Sequence, residues 1–238
     1  MRFHYVLPVH NEEAHLANTV DSLTQYLTSY PHSSILLCEN GSIDASWEVC
    51  LKLSQKSTSQ LQIIPLKTSS AGIGHGYALG LEYLLKTDQI KNEDWIILSA
   101  ADLPFRFSDI ESLLSFKEKD RHPLYIGSKA HKDSVIQINF KRKVSSFFYY
   151  FLRKLILGMK TKDSQGVIIG RKSVFSKLFP KIKSRNFFFS TELVYYSEKQ
   201  GVNPIELPVK YIETERTSRV KVFKHGMQMI KEMLSISR

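Results

Sequence analysis

Three acidic residues in the first half of the chain have the chemistry of a nucleotide-binding site. Glu12, Glu39 and Asp102 each follow a run of apolar residues, within a short polar turn. One such carboxylate accepts hydrogen bonds from ribose hydroxyls, a second from an N–H group of a base, and a third holds a divalent cation that neutralises a diphosphate. The three acids therefore predict a site for a nucleoside diphosphate with Mg²⁺ or Mn²⁺.

The stretch around Asp102 is the most informative of the three. Residues 96–104 read Ile-Ile-Leu-Ser-Ala-Ala-Asp-Leu-Pro, so a strand-like segment runs into small residues and then a single carboxylate. This pattern is typical of a buried strand that ends at the edge of a sheet and places the carboxylate in the crevice beyond it. The alternative is an aspartate that only caps the following helix.

A glycine-rich turn lies between the second and the third acid. Residues 72–76 read Gly-Ile-Gly-His-Gly, which permits close approach of the backbone to a ligand, although glycines before a helix also occur for steric reasons alone. The turn lacks the Lys-Ser/Thr ending of a P-loop, and it follows the third predicted strand instead of the first. These differences disfavour a P-loop and a dinucleotide-binding fold.

The elements that would position these residues alternate between strands and helices. Strand patterns cover residues 3–8, 34–38, 61–64, 95–98 and 125–129. Apolar residues at helical spacing follow most of them, which predicts an α/β fold with a mainly parallel sheet and helices on both faces. Ligands of such sheets bind beyond the carboxyl ends of the strands.

Local signals predict some of the boundaries. Asn11 is expected to cap the first helix, and Ser108 with Glu111 to form a capping box for the helix after the fourth strand. The polar stretch that runs up to Gln137 is expected to be a mobile loop. Since no repeat, low-complexity tract or linker divides the chain, we expect one domain.

The composition of the 238 residues limits the classes of function. An apolar content of 42% supports a core, and Lys and Arg exceed Asp and Glu by ten, which favours anionic partners. The lysines are dispersed and no nucleic-acid module is recognisable, so nucleic acid is not expected as a partner. Cys38 and Cys50 form no disulfide framework or metal motif, and we find no leader and no long apolar window, so we expect a cytoplasmic protein.

The second half contains two segments that are both apolar and basic. Residues 147–157 are apolar nearly all round, follow a basic run at 141–143, and are too short to span a bilayer. A helical stripe near the end of the chain consists of Val220, Phe223, Met227, Ile230 and Leu234. Each segment is either a core helix or a helix that lies in a lipid interface, and the pattern leaves both interpretations open.

Taken together, the motifs resemble those of family 2 glycosyltransferases, most of all the dolichyl-phosphate mannose synthase type. The resemblance rests on residues 6–13, 39–44, 72–78 and 101–104, and it continues at 127–129, 163–166, 188–193 and 201–209. It implies a GT-A fold in a single domain, with a nucleotide-sugar-binding half at 1–122 and an acceptor-binding half at 123–238. It also implies cation-assisted, inverting transfer of a hexose from a nucleotide diphosphate-sugar to a polyprenyl phosphate.

The resemblance further assigns roles to individual positions. The nucleotide-sugar would contact Pro8, Glu12, Glu39, Gly41, Gly74, Ala101 and Asp102. Asp102 would ligate the divalent cation, and Asp102 and Glu192 would be the catalytic residues. The acceptor phosphate would lie near Arg142, Ser145, Ser218, Arg219 and Lys221, with a membrane surface as a further partner.

The sequence departs from the family pattern at several positions. Ala100 stands where the first Asp of an Asp-x-Asp pair is usual, Asn40 where a second aspartate is usual, and Ser190 where an Asp precedes the late glutamate. Losing one carboxylate weakens a cation–diphosphate site by about 1–3 kcal/mol. A non-catalytic relative that binds a nucleotide-sugar without transferring it is therefore an alternative.

The missing aspartate before Glu192 favours a phosphate over an alcohol as the acceptor. A phosphate monoester is largely ionised near neutral pH and is nucleophilic without a strong general base, whereas a hydroxyl group needs such a base. Glu192 is the one candidate base that the motifs provide. A glycan or small-molecule hydroxyl acceptor is the alternative to the lipid phosphate.

Overall fold

The computed structural model describes residues 1–138, 140–212 and 222–237, without the side chains of 140–142 and 222–225. The strands are β1 (Phe3–Val9), β2 (Ser33–Asn40), β3 (Leu61–Thr68), β4 (Trp95–Leu98), β5 (Leu124–Ser128), β6 (Val135–Gln137), β7 (Val167–Arg171), β8 (Ile205–Pro208) and β9 (Lys210–Ile212). The helices are α1 (Leu16–Leu27), α2 (Ser46–Ser54), α3 (Ile73–Lys86), α4 (Ser108–Ser115), α5 (Phe140–Leu157), α6 (Lys172–Leu178), α7 (Phe189–Lys199) and α8 (Val222–Ile236), with a short 3₁₀ turn at Phe179–Lys181.

Seven strands form one sheet in the order β3-β2-β1-β4-β7-β5-β8, and β6 pairs with β9 in a separate two-stranded sheet. Strands β3, β2, β1 and β4 run parallel, and so do β5 and β8. Strand β7 is antiparallel to both of its neighbours, β4 and β5. The prediction of an α/β fold with a mainly parallel sheet is confirmed.

Different helices cover the two faces of the sheet, because successive strand residues point to opposite sides. In β1, Leu7 and Val9 pack in the layer that contains α1, α2 and α4, whereas Val6 packs in the layer that contains α3, α6 and α7. Helices α5 and α8 join this second layer through Leu157 and Met233. Both faces are therefore buried, as the continuous apolar runs of the strands require.

Three local predictions are wrong. Helix α1 does not start directly after Asn11, whose side-chain oxygen instead accepts a hydrogen bond of 2.9 Å from the Ile43 N–H. Ser108 does not cap α4, and its hydroxyl accepts a hydrogen bond from the Lys210 N–H. The stretch up to Gln137 is not all loop, since β6 pairs with β9. In each case a contact with a distant segment replaces the local one.

Helix α5 has one buried side and one exposed apolar side. Arg153 and Leu157 are buried, but five large apolar residues are each exposed over 51–70% of their surface: Val144, Phe147, Phe148, Phe151 and Leu155. We call these five the α5 apolar stripe, since their spacing places them on one side of the helix. The interpretation of residues 147–157 as a fully buried core helix is therefore wrong. Within the described residues, no helix is both long enough and apolar enough to cross a bilayer.

The stability of the fold is expected to depend on pH through Asp109, at the start of α4. This residue is 3% exposed, and burial raises the pKa of its carboxyl group to about 7. The unfolded value is about 3.9, so between these values the native state keeps a proton that the unfolded chain loses, and stability falls as the pH rises. Asp109→Asn is expected to raise the free energy of unfolding by about 2–4 kcal/mol at pH 8 and to leave it nearly unchanged at pH 4.

Urea unfolding of both proteins at pH 4 and pH 8 measures this difference. The exposed neighbour Glu111, replaced by glutamine, is the matched control on the same helix. An Asp109→Asn protein whose unfolding free energy differs from wild type by the same amount at both pH values would contradict the assignment.

Candidate active site

The three acidic residues predicted to bind a nucleotide lie at or shortly after the carboxyl ends of three adjacent strands. Val9 at the end of β1 is paired with Glu39 at the end of β2, and Val6 is paired with Leu98 at the end of β4. Because the three strands are parallel, their carboxyl ends lie at the same edge of the sheet. The fold thus brings Glu12, Glu39 and Asp102 to one edge, as predicted, although Glu39 lies in the last part of β2 and not in the turn after it.

Hydrogen bonds fix the turns after β1 and β2 to each other. The Asn11 N–H donates to Ser42 Oγ at 3.0 Å, and the Glu12 N–H donates to Ser46 Oγ at 2.7 Å. Asn11 has a φ of +55°, a left-handed conformation that asparagine tolerates better than most residues. The two turns therefore form one cross-linked unit, and the half-buried Glu12 side chain belongs to it.

Glu39 and Asn40 place buried oxygen acceptors at this edge. Each residue is 1% exposed, and Glu39 Oε1 accepts a hydrogen bond from the Ser42 N–H. Glu39 Oε2 and Asn40 Oδ1 are buried and have no hydrogen-bond partner among the described residues. A buried acceptor without a partner costs about 1–3 kcal/mol. Both oxygens are therefore suited to accept hydrogen bonds from a ligand.

The glycine turn, residues 72–76, packs closely against its neighbours on both sides. Asn40 Nδ2 donates to the Gly72 carbonyl at 3.1 Å, and Gly72 itself has a φ of +134° that disfavours other residues. A Cβ atom at Gly76 would lie 2.6 Å from Pro8 Cβ, and one at Gly74 would lie 2.4 Å from the Arg185 carbonyl carbon. Pro8 and Gly74 thus have packing roles at the rim of the site. Gly41, with a φ of +73°, turns the chain after β2 against the same segment, close to Ser69 and Ala71.

Gly74→Ala is expected to destabilise the protein by about 1–3 kcal/mol, because the added methyl group meets backbone that cannot move without disturbing the turn. Gly226→Ala is the matched control, since Gly226 is also helical and a Cβ there has no neighbour within 4 Å among the described residues. That control is expected to stabilise by about 0.5–1 kcal/mol through helix propensity. Denaturant unfolding measures both, and equal shifts for the two variants would contradict the packing of the turn.

Asp102 is exposed beside a groove of about 820 Å³. The groove is lined by residues of α1 and of the segment 102–107, and of these lining residues Asp102 alone belongs to the predicted site. The preceding Ala101 is buried, and its carbonyl accepts a hydrogen bond of 2.7 Å from Thr19 Oγ1, which anchors the turn after β4 to α1. Burial raises the pKa of the Tyr77 hydroxyl in α3, and the negative charge of Asp102 raises it further. The Asp102 carboxylate is therefore close enough to α3, the helix that begins in the glycine turn, to act on it electrostatically.

Asp102 is suited to hold a divalent cation only together with other ligands. No cluster of three His, Cys, Asp or Glu side chains forms a metal site in the parts of the chain that the structure describes. A single exposed carboxylate, completed by diphosphate oxygens and water, is nevertheless an ordinary way to hold Mg²⁺. The residues therefore fit a cation that arrives with its diphosphate.

Glu192, the predicted base, lies in α7 and is 1% exposed. Its Oε2 accepts hydrogen bonds from the N–H groups of Lys183 at 3.0 Å and Ser184 at 2.7 Å, and its Oε1 is buried without a partner among the described residues. Burial raises the pKa of the carboxyl group, with the nearby Glu232 acting in the same direction. One oxygen of Glu192 thus anchors the segment before α7, and its role as a base stays a prediction.

The predicted acceptor-phosphate residues are only partly visible. Ser145 lies on the exposed part of α5, one helical position after Val144 of the apolar stripe. Ser218, Arg219 and Lys221 lie outside the described residues, and so does the side chain of Arg142. The structure therefore does not test their assignment.

The sequence interpretation missed two contributors to the site. Asn40 was noted as the replacement of an aspartate, yet its amide holds the glycine turn and its oxygen is a buried acceptor. Arg185 was not singled out, but its carbonyl accepts a hydrogen bond of 3.1 Å from the His75 N–H. The residue type at position 185 could not predict this contact, because the backbone carbonyl of Arg185 makes it and the guanidinium group does not.

The sequence matches the profile of the family described as glycosyl transferase family 2 over residues 5–179. It is 21% identical over 245 residues to a dolichyl-phosphate beta-glucosyltransferase of Dictyostelium discoideum, an alignment that covers 97% of this chain and 72% of that protein. It is also 21% identical over 222 residues to a UDP-N-acetylglucosamine–dolichyl-phosphate N-acetylglucosaminyltransferase of Methanococcus voltae, with 88% and 85% covered.

Solved structures with the same fold include the glucosyl-3-phosphoglycerate synthase of Mycobacterium tuberculosis. One structure of that enzyme superimposes with a TM-score of 0.68 at 13% identity, covering 98% of this chain and 80% of the other. A structure of it with Mn²⁺, UDP-glucose and glycerol 3-phosphate gives a TM-score of 0.67 at 12% identity, with 99% and 79% covered. At this identity the likeness establishes the GT-A fold and leaves the substrates open.

Proposed function

Because the chain belongs to glycosyl transferase family 2, we propose that it transfers a hexose from a nucleotide diphosphate-sugar to a lipid phosphate. The observation that favours a lipid over a soluble acceptor is the α5 apolar stripe, whose five large side chains are exposed beside the predicted acceptor residue Ser145. The two dolichyl-phosphate transferases similar to this chain support the same choice.

The donor is proposed to bind at the carboxyl ends of β1, β2 and β4. Glu39 Oε2 and Asn40 Oδ1 are the acceptors proposed for N–H groups of the base. Glu12, in the turn that is bonded to Ser46, is proposed to contact the ribose. The backbone of the glycine turn lies across from them, where Gly72 is tied to Asn40. Its position at the N-terminus of α3 favours the negative diphosphate through the helix dipole. The His75 N–H already donates to the Gly72 and Arg185 carbonyls, so the proposed contacts are made by other N–H groups of this first turn.

Asp102 is proposed to hold the divalent cation together with the diphosphate. When bound, such a cation stabilises the negative charge of the departing nucleoside diphosphate. The Mycobacterium tuberculosis enzyme with the same fold has been solved with Mn²⁺ and with Mg²⁺, which supports either ion.

The transfer is proposed to be a single displacement with inversion. An oxygen of the acceptor phosphate attacks the anomeric carbon and forms a new C–O bond, while the C–O bond to the diphosphate breaks and its electron pair leaves with the nucleoside diphosphate. The attacking phosphate is already ionised and needs no general base. This route does not require Glu192 as a base: its Oε2 is occupied by two backbone N–H groups, while its Oε1 is a buried acceptor without a partner among the described residues.

The α5 apolar stripe is proposed to rest on the membrane that contains the acceptor. Lys143 and Lys154 are exposed on the same helix, and α8 adds the exposed side chains of Met227 and Leu234 and the exposed Lys231. Phenylalanine with flanking lysine is the composition of helices that lie in a lipid interface, where the cations meet anionic headgroups. The surplus of ten positive charges acts in the same direction.

Calorimetric titration with UDP, GDP, CDP and ADP in the presence of Mg²⁺ tests the donor site. We expect one of them to bind saturably, and Glu39→Gln to weaken that binding at least tenfold, because an amide N–H₂ replaces an acceptor that has no other partner within the described part of the chain. Glu48→Gln, an acid of the neighbouring helix α2, is the control. Saturable binding of none of the four nucleotides, or unchanged binding by Glu39→Gln, would contradict the proposal.

A further inference from the structure

The segment 182–186, which precedes α7, covers the glycine turn. The His75 N–H is shared between the Gly72 carbonyl at 3.0 Å and the Arg185 carbonyl at 3.1 Å, and a Cβ at Gly74 would clash with the Arg185 backbone. On its other side, the turn is held by Asn40 through Gly72. The position of the glycine turn therefore depends on where the backbone of Arg185 lies.

Two carboxylates from different helices hold this segment in place. Glu192 of α7 accepts the backbone N–H groups of Lys183 and Ser184, as described above. Glu232 of α8 accepts the Ser184 hydroxyl, with Ser184 Oγ and Glu232 Oε2 2.6 Å apart, and its other oxygen accepts a hydrogen bond of 3.1 Å from Gln228 Nε2. Ser184 is 9% exposed and Glu232 is half-buried, so this contact is partly shielded from competing water.

Helix α8 combines a buried side with exposed apolar residues. Its Met233 is fully buried in the core, whereas Met227 and Leu234 are each 47% exposed. Glu232 is the one acidic residue of the helix and lies next to Met233, so the seating of α8 on the core and the hydrogen bond to Ser184 are made by adjacent residues.

We propose that Glu232 is a positioning residue for the donor site: by holding Ser184 it fixes Arg185, and through Arg185 it fixes the glycine turn that receives the diphosphate. The backbone N–H groups of such a turn bind phosphate only when their direction is set in advance. The donor site is thereby linked to α8, which packs against α5 and contributes exposed residues to the proposed membrane face. The inference rests on the proposed function, since it takes the glycine turn to be part of the donor site.

Four single variants and the double variant Glu232→Ala/Ser184→Ala test the role of Glu232. Glu232→Ala and Ser184→Ala remove either end of the hydrogen bond, Glu232→Gln keeps an acceptor oxygen, and Ser235→Ala alters an exposed residue of the same helix. Two readouts are measured: the dissociation constant for UDP with Mg²⁺, and the hydrogen-exchange rate of the glycine-turn amides, above all that of His75. Circular dichroism and unfolding curves identify any variant that fails to fold.

Glu232→Ala and Ser184→Ala are expected to raise the dissociation constant and the His75 exchange rate each by roughly tenfold, the usual scale for a lost hydrogen bond to a charged group. Glu232→Gln is expected to stay within about twofold of wild type, and Ser235→Ala to change nothing. The double variant should be no worse than either single one, because both remove the same bond. Wild-type exchange at His75 in both alanine variants would overturn the inference.

The exchange measurement also separates this inference from the proposed function. If the wild-type protein binds no nucleotide at all, the proposed function fails, while faster exchange at the glycine turn in Glu232→Ala still supports the positioning role. If the wild-type protein binds UDP and both alanine variants bind it as tightly, the positioning role fails and the proposed function stands.

Discussion

Asp102→Asn is expected to lower the rate of sugar transfer by about two to three orders of magnitude, the scale on which removal of a charge-stabilising group acts in related chemistry. The effect should be large because Ala100 replaces the other carboxylate that the family pattern provides, so Asp102 has no neighbour in the motif to compensate for it. Transfer rates at saturating donor over a range of Mg²⁺ and Mn²⁺ concentrations measure the loss.

The matched control is Asp88→Asn. Asp88 is also exposed, but it lies after the end of α3, and therefore near the opposite edge of the sheet. This control should transfer sugar at the wild-type rate. Full activity of Asp102→Asn at low cation concentration would show that the carboxylate does not hold the cation.

Replacing Phe147 and Phe151 together by serine is expected to weaken binding to anionic vesicles by roughly 30- to 700-fold. The two side chains are 70% and 51% exposed, and transferring them from water into a lipid interface contributes about 2–4 kcal/mol in total. Co-sedimentation with vesicles of phosphatidylglycerol and phosphatidylcholine measures the affinity. The part of the vesicle-binding free energy that comes from the lysines should fall as salt is added.

Leu51→Ser is the control for this surface. Leu51 is 43% exposed on α2, which packs on the other face of the sheet. The control should bind vesicles as wild type does. If the Phe147/Phe151 variant binds equally well but changes from dimer to monomer in solution, the stripe is an interface between two copies of the chain and not a membrane contact.

The sheet and the acids at its edge were predictable because their causes are local in the sequence. Continuous apolar runs bounded by polar turns specify buried parallel strands, and parallel strands place Glu39 and Asp102 at one edge whatever the details of packing. The resemblance to family 2 glycosyltransferases was predicted from motifs in the right order, and it is confirmed.

The features that sequence analysis did not resolve depend on contacts between distant segments. Asn11 has the side chain of a helix cap, but Ile43 provides a better partner for it. The apolar residues at 147–157 fit a core helix and a surface helix equally well. The spacing of apolar residues shows which side of a helix is apolar, but it does not show whether protein or lipid covers that side. Glu192 lies in a motif typical of the family, yet its contacts to the segment before α7 arise only in the folded chain.

The nature of the acceptor is the central claim, and a competition between acceptors tests it most directly. Labelled UDP-glucose, UDP-N-acetylglucosamine and GDP-mannose are each incubated with the protein, Mg²⁺ or Mn²⁺, and equal amounts of detergent-dispersed polyprenyl phosphate and soluble 3-phosphoglycerate. Label from one donor is expected to appear in the organic extract as a polyprenyl-phosphate sugar. Label found only on 3-phosphoglycerate, or transferred to neither acceptor from any of the donors, would contradict that claim.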